Sequence, residues 1–192
     1  MKTDIILCGV GGQGILSIAT IIGWAALDQD LYLKQAEVHG MSQRGGDVQS
    51  NLRLSTEPIH SDLIAKGACD IIVSLEPMEA LRYIPYLAPT GWIITNTTPF
   101  VNIPNYPELD AVNAELDKVG NTVRLDVDTI AKEIGSPRSA NMVLLGAMAA
   151  RLTILQPDKL KEGIQHVFAR KGQDIVDANI KAFDAGYRFA QH

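Results

Sequence analysis

The chain has 192 residues, 46% hydrophobic, 20% charged and 6% aromatic, and its 17 Lys and Arg against 22 Asp and Glu leave a formal charge of -5. That profile describes one ordinary globular domain, and an acidic balance with no dense Lys/Arg run excludes a binder of phosphate backbones, so no nucleic-acid partner is expected. Cys8 and Cys69 stand far apart and outside any CxxC. They offer no zinc site, iron–sulfur cluster or disulfide framework, which makes the cytoplasm the default compartment.

The first four residues, Met1 to Asp4, lead straight into an apolar run, with no basic segment and no cleavage site of a signal peptide. The longest apolar spans, 15–27 and 140–155, fall short of the roughly 20 residues that a bilayer crossing needs, and Arg151 interrupts the second. A soluble protein without membrane contact is expected.

Residues 4–8 form a short apolar run bounded by glycine, the pattern of a strand buried on both faces. Helical spacing starts at Gly12 and places Ile15, Leu16, Ala19, Ile22, Gly23 and Ala26 on one side. Strands are predicted at 32–36 and 48–54, separated by the polar, glycine-bearing stretch 37–46. A strand at 70–75, a helix at 77–87 with proline in its first turn, and a strand at 91–95 follow. Pro99, Pro104 and Pro107 make 97–107 a loop or crossing arm, because proline cannot donate in a sheet ladder. A last strand is predicted at 123–127, an apolar helix at 139–152 with Ser139 as its cap, and helices at 157–169 and 174–189. There is no internal repeat or linker. The expected architecture is a single domain over 1–192: a doubly wound, Rossmann-like α/β fold with a mostly parallel sheet, helices on both faces and a helical C-terminal third.

Gly9, Gly11 and Gly14 fit GxGxxG after a predicted strand and at the opening of a helix. Glycines there let the backbone turn tightly and let an anion approach the free N–H groups and positive end of the helix. The bland alternative is glycine that only permits close helix–strand packing. Glu37 stands about where a dinucleotide-binding protein places its ribose-binding acid. Yet His39, Ser42, Gln43 and Arg44 follow between glycines, more chemistry than a ribose clamp calls for.

Three segments together resemble a known family: GVGGQG at 9–14, EVHGMSQRGG at 37–46 and NMVLLG at 141–146. They are similar to the gamma-type subunits of 2-oxoacid:ferredoxin oxidoreductases, most of all to the beta subunit of the indolepyruvate-specific enzymes. The similarity runs over essentially the whole chain and includes Leu75-Glu76-Pro77 followed by Glu79 and Arg82. It implies a heteromeric enzyme that decarboxylates an aryl pyruvate such as indolepyruvate, transfers the acyl group to coenzyme A and reduces ferredoxin. The family's cofactors are thiamine diphosphate with Mg and 4Fe-4S clusters. Two isolated cysteines cannot hold a cubane cluster, and Gly45-Gly46-Asp47 has the wrong order for a thiamine diphosphate motif. The resemblance therefore places these cofactors on a large alpha-type partner subunit, leaves the isolated chain inactive, and implies that it forms homo-oligomers through its orphaned interface.

Two contributions of this chain follow. The helix start formed by Gly9, Gly11, Gly12, Gln13 and Gly14 receives a phosphate of coenzyme A, with Arg44 or Lys34 supplying charge. Alternatively or in addition, Glu37, His39, Ser42, Gln43, Arg44, Gly45, Glu76 and Asn141 form an interface or active-site loop that closes over the partner's site. His39 is the one candidate for acid–base chemistry, against the commoner role of bonding to nearby backbone. His60, His166 and His192 lack neighbours at metal spacing, and no metal site is expected. Glu76 faces the cleft or caps a helix. Met142, Leu145 and Met148 read as core, and Cys8 and Cys69 as small apolar fillers. Two other functions stay open: a stand-alone NAD(P)-dependent oxidoreductase using the glycine loop and Glu37, and a nucleotide- or coenzyme-A-binding interaction module without catalytic duty.

Overall fold

The structure, a computed structural model, describes residues 1–40 and 45–191. Among the described residues six strands form one sheet: β1 (Lys2–Val10), β2 (Tyr32–His39), β3 (Asp47–Ser55), β4 (Cys69–Ser74), β5 (Leu87–Asn96) and β6 (Thr122–Leu125). Their order is β2-β3-β1-β4-β5-β6. β1, β4, β5 and β6 pair in parallel, whereas β3 runs antiparallel to both β1 and β2, so β3 alone is reversed. The helices are α1 (Ile15–Asp28), α2 (Pro77–Arg82), α3 (Leu109–Asp117), α4 (Val127–Glu133), α5 (Ala140–Ala149), α6 (Pro157–Phe168) and α7 (Gln173–Ala190).

The apolar run of β1 is continuous because both its faces are covered. Successive side chains of a strand point to opposite sides, and here Ile5 and Leu7 join a core with α1 and α4 to α7, while Ile6 and Cys8 join a second core with α2 and α3. Helices thus cover both faces, as expected. α5 is apolar all round since it lies between the sheet and α7, with every residue from Met142 to Ala149 buried. No helix among the described residues is long and apolar enough to cross a membrane.

Several boundaries differ from expectation for local reasons. The helix predicted at 77–87 ends at Arg82 and gives way to a 3-10 turn over Ile84–Tyr86. Pro85 lacks the N–H that a longer helix would need. The strand predicted to reach 127 stops at Leu125, and Asp126 caps α4, its carboxylate accepting from the Thr129 N–H at 2.9 Å and hydroxyl at 2.7 Å. Ser139 occupies the cap position of α5 but makes no side-chain capping bond, because a 3-10 turn over Pro137–Ser139 leads into the helix. α3 and α4 were not expected. Each buries only a two-residue stripe, Val112 and Leu116 in one and Val127 and Ala131 in the other, too little for periodicity to reveal.

Candidate functional site

β1 ends in the glycine loop, and α1 begins on Gly14. Gly12 has φ 103° and Gly14 has φ 88°, a region that side chains with a Cβ rarely enter. Two side chains staple the loop from inside. Gln13 accepts from the Val10 N–H at 2.7 Å and donates to the Leu75 carbonyl at 3.1 Å, while Asn141, in the first turn of α5, donates to the Gly14 carbonyl at 3.3 Å. Both ends of the Gln13 amide are therefore engaged within the chain. The helix start itself stays open: among the described residues the N–H groups of Gly12, Gly14, Ile15 and Leu16 have no protein acceptor, and the first turn of α1 carries no acidic side chain. That is an anion-receptive end.

Beyond it lies a cleft of about 420 Å³ between this helix start and the β2–β3 hairpin, with Gly11, Gly12 and Leu16 on one side and Glu37, His39 and Val48 on the other. The His39 Nδ1 lies 3.1 Å from the Gly40 carbonyl, a local backbone contact on an exposed ring. Glu37 pairs with Ser50 of β3, and Ser50 with Leu7 of β1. β3 thus occupies the place beside β1 that the second strand holds in a dinucleotide-binding fold, and Glu37 stands one strand spacing beyond it, about 9–10 Å from β1. Lys34 does not reach the glycine loop. It sits opposite Arg53, toward the other end of the hairpin, and pairs with Asp62 at 3.2 Å. Ser42, Gln43 and Arg44 lie outside the described residues.

The rim of the loop is tied down by backbone. Gly11 donates to the Gly46 carbonyl at 2.8 Å, and Gly45, at φ 80°, donates to the Gly11 carbonyl at 3.3 Å. Asn102, on the proline-bearing segment after β5, donates from Nδ2 to the Gly45 carbonyl at 2.6 Å. Glu76 is only 1% exposed. Its Oε2 accepts from the Glu79 N–H at 2.8 Å, and its Oε1 accepts from the Phe100 N–H at 3.3 Å and from the Tyr106 hydroxyl. Burial first, and then this bond to a carboxylate, push the Tyr106 hydroxyl well above the ordinary phenol range. On the far side of the α1 first turn a second cleft of about 500 Å³ is lined by Ser17, Ser139, Asn141, Arg138 and Lys171, among others. Neither Arg138 nor Lys171 pairs with a carboxylate among the described residues.

The sequence profile of the pyruvate ferredoxin/flavodoxin oxidoreductase family matches residues 4–189. The chain is 36% identical, over 98% of its length and 96% of the relative's, to the indolepyruvate oxidoreductase subunit IorB of Thermococcus kodakarensis, and 35% identical, over 97% of each, to that of Methanothermobacter thermautotrophicus. This chain is a member of that oxidoreductase family. Its fold matches the gamma subunit of a keto/oxoacid ferredoxin oxidoreductase from Geobacter sulfurreducens with a TM-score of 0.71 and 25% identity, covering 99% of this chain and 97% of that one. It also matches part of the 2-oxoglutarate:ferredoxin oxidoreductase of Magnetococcus marinus, with a TM-score of 0.77, 22% identity and 31% of that longer chain covered. The latter structure holds 2-oxoglutarate, coenzyme A and succinyl-CoA.

Oxidoreductases of this family join redox to carbon chemistry, and the donor set here bears on which part this member performs. Cys8 and Cys69 are both buried and free, and burial pushes both thiols up, Cys69 to about 12. A cluster ligand must be a thiolate. Among the described residues no group of three or more His, Cys, Asp or Glu is placed to hold a metal ion, so these residues do not fit a cluster or a thiamine-bound cation.

Of the expected site residues, Gly11, Gly12, Gly14, Glu37 and His39 come together around the first cleft, with Gly9 behind them and Gly45 at the rim. Gln13, Asn141 and Glu76 support the loop from within. Sequence reasoning missed Asn102, Tyr106, Arg138 and Lys171. Asn102 and Tyr106 lie in the proline-bearing arm, whose irregular path carries no periodic signal. Arg138 and Lys171 meet only through the packing of α5, α6 and α7.

Proposed function

We propose that this chain is the small subunit of a cytoplasmic, heteromeric indolepyruvate:ferredoxin oxidoreductase, a gamma-type domain over 1–192 that completes a site on a large alpha-type subunit. The overall reaction in this reading converts an aryl pyruvate, coenzyme A and two oxidised ferredoxins into the aryl-acetyl-CoA, carbon dioxide, two reduced ferredoxins and a proton. Thiamine diphosphate, Mg and 4Fe-4S clusters belong to the partner and supply the carbanion and electron chemistry. The carrying observation is identity of 35–36% over nearly the full length of both chains to IorB subunits from four organisms, beside 28% or 29% to ketoisovalerate and 2-oxoglutarate relatives.

This chain's own part is to bind and orient. Free N–H groups at the α1 start receive a phosphate of coenzyme A, since no acceptor among the described residues engages them and they carry the positive end of the helix. Arg138 and Lys171, across the same first turn, add charge on that side. The hairpin wall with Glu37 and His39 borders the opening, the arm holds its rim through the Asn102 bond to Gly45, and together they limit water entry when the partner is seated. The position of β3 speaks against a stand-alone NAD(P) site, because it removes Glu37 from the strand beside the glycine loop.

The test is co-expression with the large subunit and measurement of indolepyruvate- and coenzyme-A-dependent ferredoxin reduction with and without this chain. Turnover that requires both chains is expected. Full turnover by the large subunit alone would leave a binding module, and saturable NAD binding with hydride transfer by the isolated chain would restore the rival enzyme.

A further inference from the structure

The segment between β5 and α3 carries three prolines, yet it is anchored at both ends of its bend by a single carboxylate. The Phe100 N–H and the Tyr106 hydroxyl both donate to Glu76 Oε1. Between these two anchors in the chain, Asn102 reaches out to the Gly45 carbonyl at 2.6 Å. Gly45 and Gly46 are bonded to Gly11 by two backbone hydrogen bonds, at 3.3 and 2.8 Å. Hydrogen bonds at Phe100, Tyr106 and Asn102, joined by the short backbone between them, therefore link the residue just after β4 to the glycine loop.

Capping α2 does not by itself account for Glu76. One side-chain oxygen suffices for a cap, and Ser, Thr, Asp or Asn supply it without a buried charge. Here the second oxygen is given wholly to the arm, and no cation lies within hydrogen-bonding distance of the carboxylate among the described residues. Arg82, the nearest candidate in sequence, pairs with Glu79 instead. A carboxylate kept at 1% exposure must have its lone pairs filled; Phe100 and Tyr106 fill them, and in doing so they fix the arm.

We infer that Glu76 is a positioning residue that sets the arm 97–107 and, through Asn102, holds Gly45 and Gly11 against the α1 start where coenzyme A binds. The inference rests on the functional reading above. Phe100 and Val101, 44% and 68% exposed, ride on the same arm, so Glu76 fixes these exposed apolar side chains as well. Replacing the carboxylate by an amide leaves one acceptor oxygen: the Tyr106 hydroxyl can turn to accept from the NH2, but the NH2 faces either the Phe100 N–H or the Glu79 N–H, so one of these two donors loses its acceptor.

The experiment uses the complex reconstituted with the large subunit and compares wild type, Glu76→Gln, Tyr106→Phe, Asn102→Ala and each double variant with Asn102→Ala. Loss of a hydrogen bond of this kind corresponds to roughly fivefold. Glu76→Gln and Asn102→Ala are each expected to raise the KM for coenzyme A by about that factor with a smaller change in kcat, and the double variant to be no worse than the worse single one. Effects that multiply in the double variant, or a Glu76→Gln complex with lowered melting temperature but wild-type KM, overturn the inference. If Glu76→Gln fails to assemble, Tyr106→Phe, which leaves the α2 cap intact, is read by the same criterion. A wild-type chain that adds no coenzyme-A-dependent turnover to the large subunit defeats the functional reading instead; an active wild type with independent variants defeats only the role of Glu76.

Discussion

Gly146 of α5 and Gly186 of α7 mark a contact in which two helix backbones touch. A Cβ on Gly146 would lie 1.9 Å from the Phe183 carbonyl oxygen, and one on Gly186 would lie 1.8 Å from that of Val143. No side-chain rotation relieves either clash, since the obstacle is backbone. Gly186→Ala is therefore expected to cost about 3 kcal/mol or more, at the upper end of overpacking, read as a lowered midpoint in urea denaturation. The contact also sets the depth of α5, whose first turn brings Asn141 to Gly14. A variant that survives folding should show weakened coenzyme A binding along with its lost stability.

Arg53 is the counterpart of a carboxylate with no access to water. Asp4 is 0% exposed and accepts from Arg53 at 2.9 and 3.2 Å and from Lys2 at 2.7 Å, while Arg53 also donates to the carbonyls of Ser61 and Leu63. Removing Arg53 leaves Asp4 with Lys2 alone, on one of its two oxygens, so the buried charge is only partly compensated. Arg53→Ala should destabilise the chain by about 2–3 kcal/mol, below the cost of a fully unpaired buried charge. Combining it with Asp4→Asn should recover part of that loss, because the under-compensated charge goes with it. A double variant less stable than Arg53→Ala alone would contradict this account.

The legible parts of this fold were those with a local signal. The apolar run of β1, the glycine-to-helix transition and the long stripes of α6 and α7 each follow from a period or a turn chemistry contained in one window of sequence. The reversed β3 was not legible: alternation in 48–54 marks a half-solvated strand but says nothing of direction, which here depends on the hairpin with β2. The candidate site divides the same way. Gly11, Gly12 and Gly14 announce themselves by spacing, and Glu76 by its place at a strand end. The engagement of Glu76 with Tyr106, 30 residues away, and of Asn102 with Gly45, 57 residues away, depends on an arm with no periodicity. Lys34 illustrates the converse, since nearness in sequence to the loop suggested a charge that register carries to the other end of the hairpin.

Two glycines of the loop should respond differently to the same methyl group. Around a Cβ on Gly12 nothing among the described residues lies within 4 Å, whereas one on Gly14 would meet Asn141 Nδ2 at 2.6 Å. Gly12→Ala should cost only the left-handed strain of about 1–2 kcal/mol. Its methyl group would stand beside the open N–H groups, so the KM for coenzyme A should rise more than stability falls. Gly14→Ala adds a clash to the strain and should be the less stable of the two. Asn141→Ala in that background should return some stability. Equal stability of the two glycine variants, measured by thermal unfolding, would refute the distinction.

The two thiols predict a pH dependence with a definite sign. Burial raises Cys69 from the ordinary 9.0 to about 12, opposed in part by hydrogen bonds involving Ile6 and Ile71, and burial pushes Cys8 higher still. The folded state therefore keeps these protons at pH values where the unfolded chain has lost them. Stability falls with rising pH wherever the native state binds more protons than the unfolded one. The cysteine contribution is fully present below about pH 9 and is lost progressively from there toward pH 12. The melting temperature should decline across the accessible alkaline range, and Cys69→Ala should flatten part of that decline while lowering stability near neutrality through a small cavity. At pH 8 a thiol-specific reagent should modify neither cysteine in the folded chain and both in denaturant, since a protonated, buried thiol is not a nucleophile. Rapid native-state labelling of either residue would show that it is accessible and ionised, contrary to its place in the core.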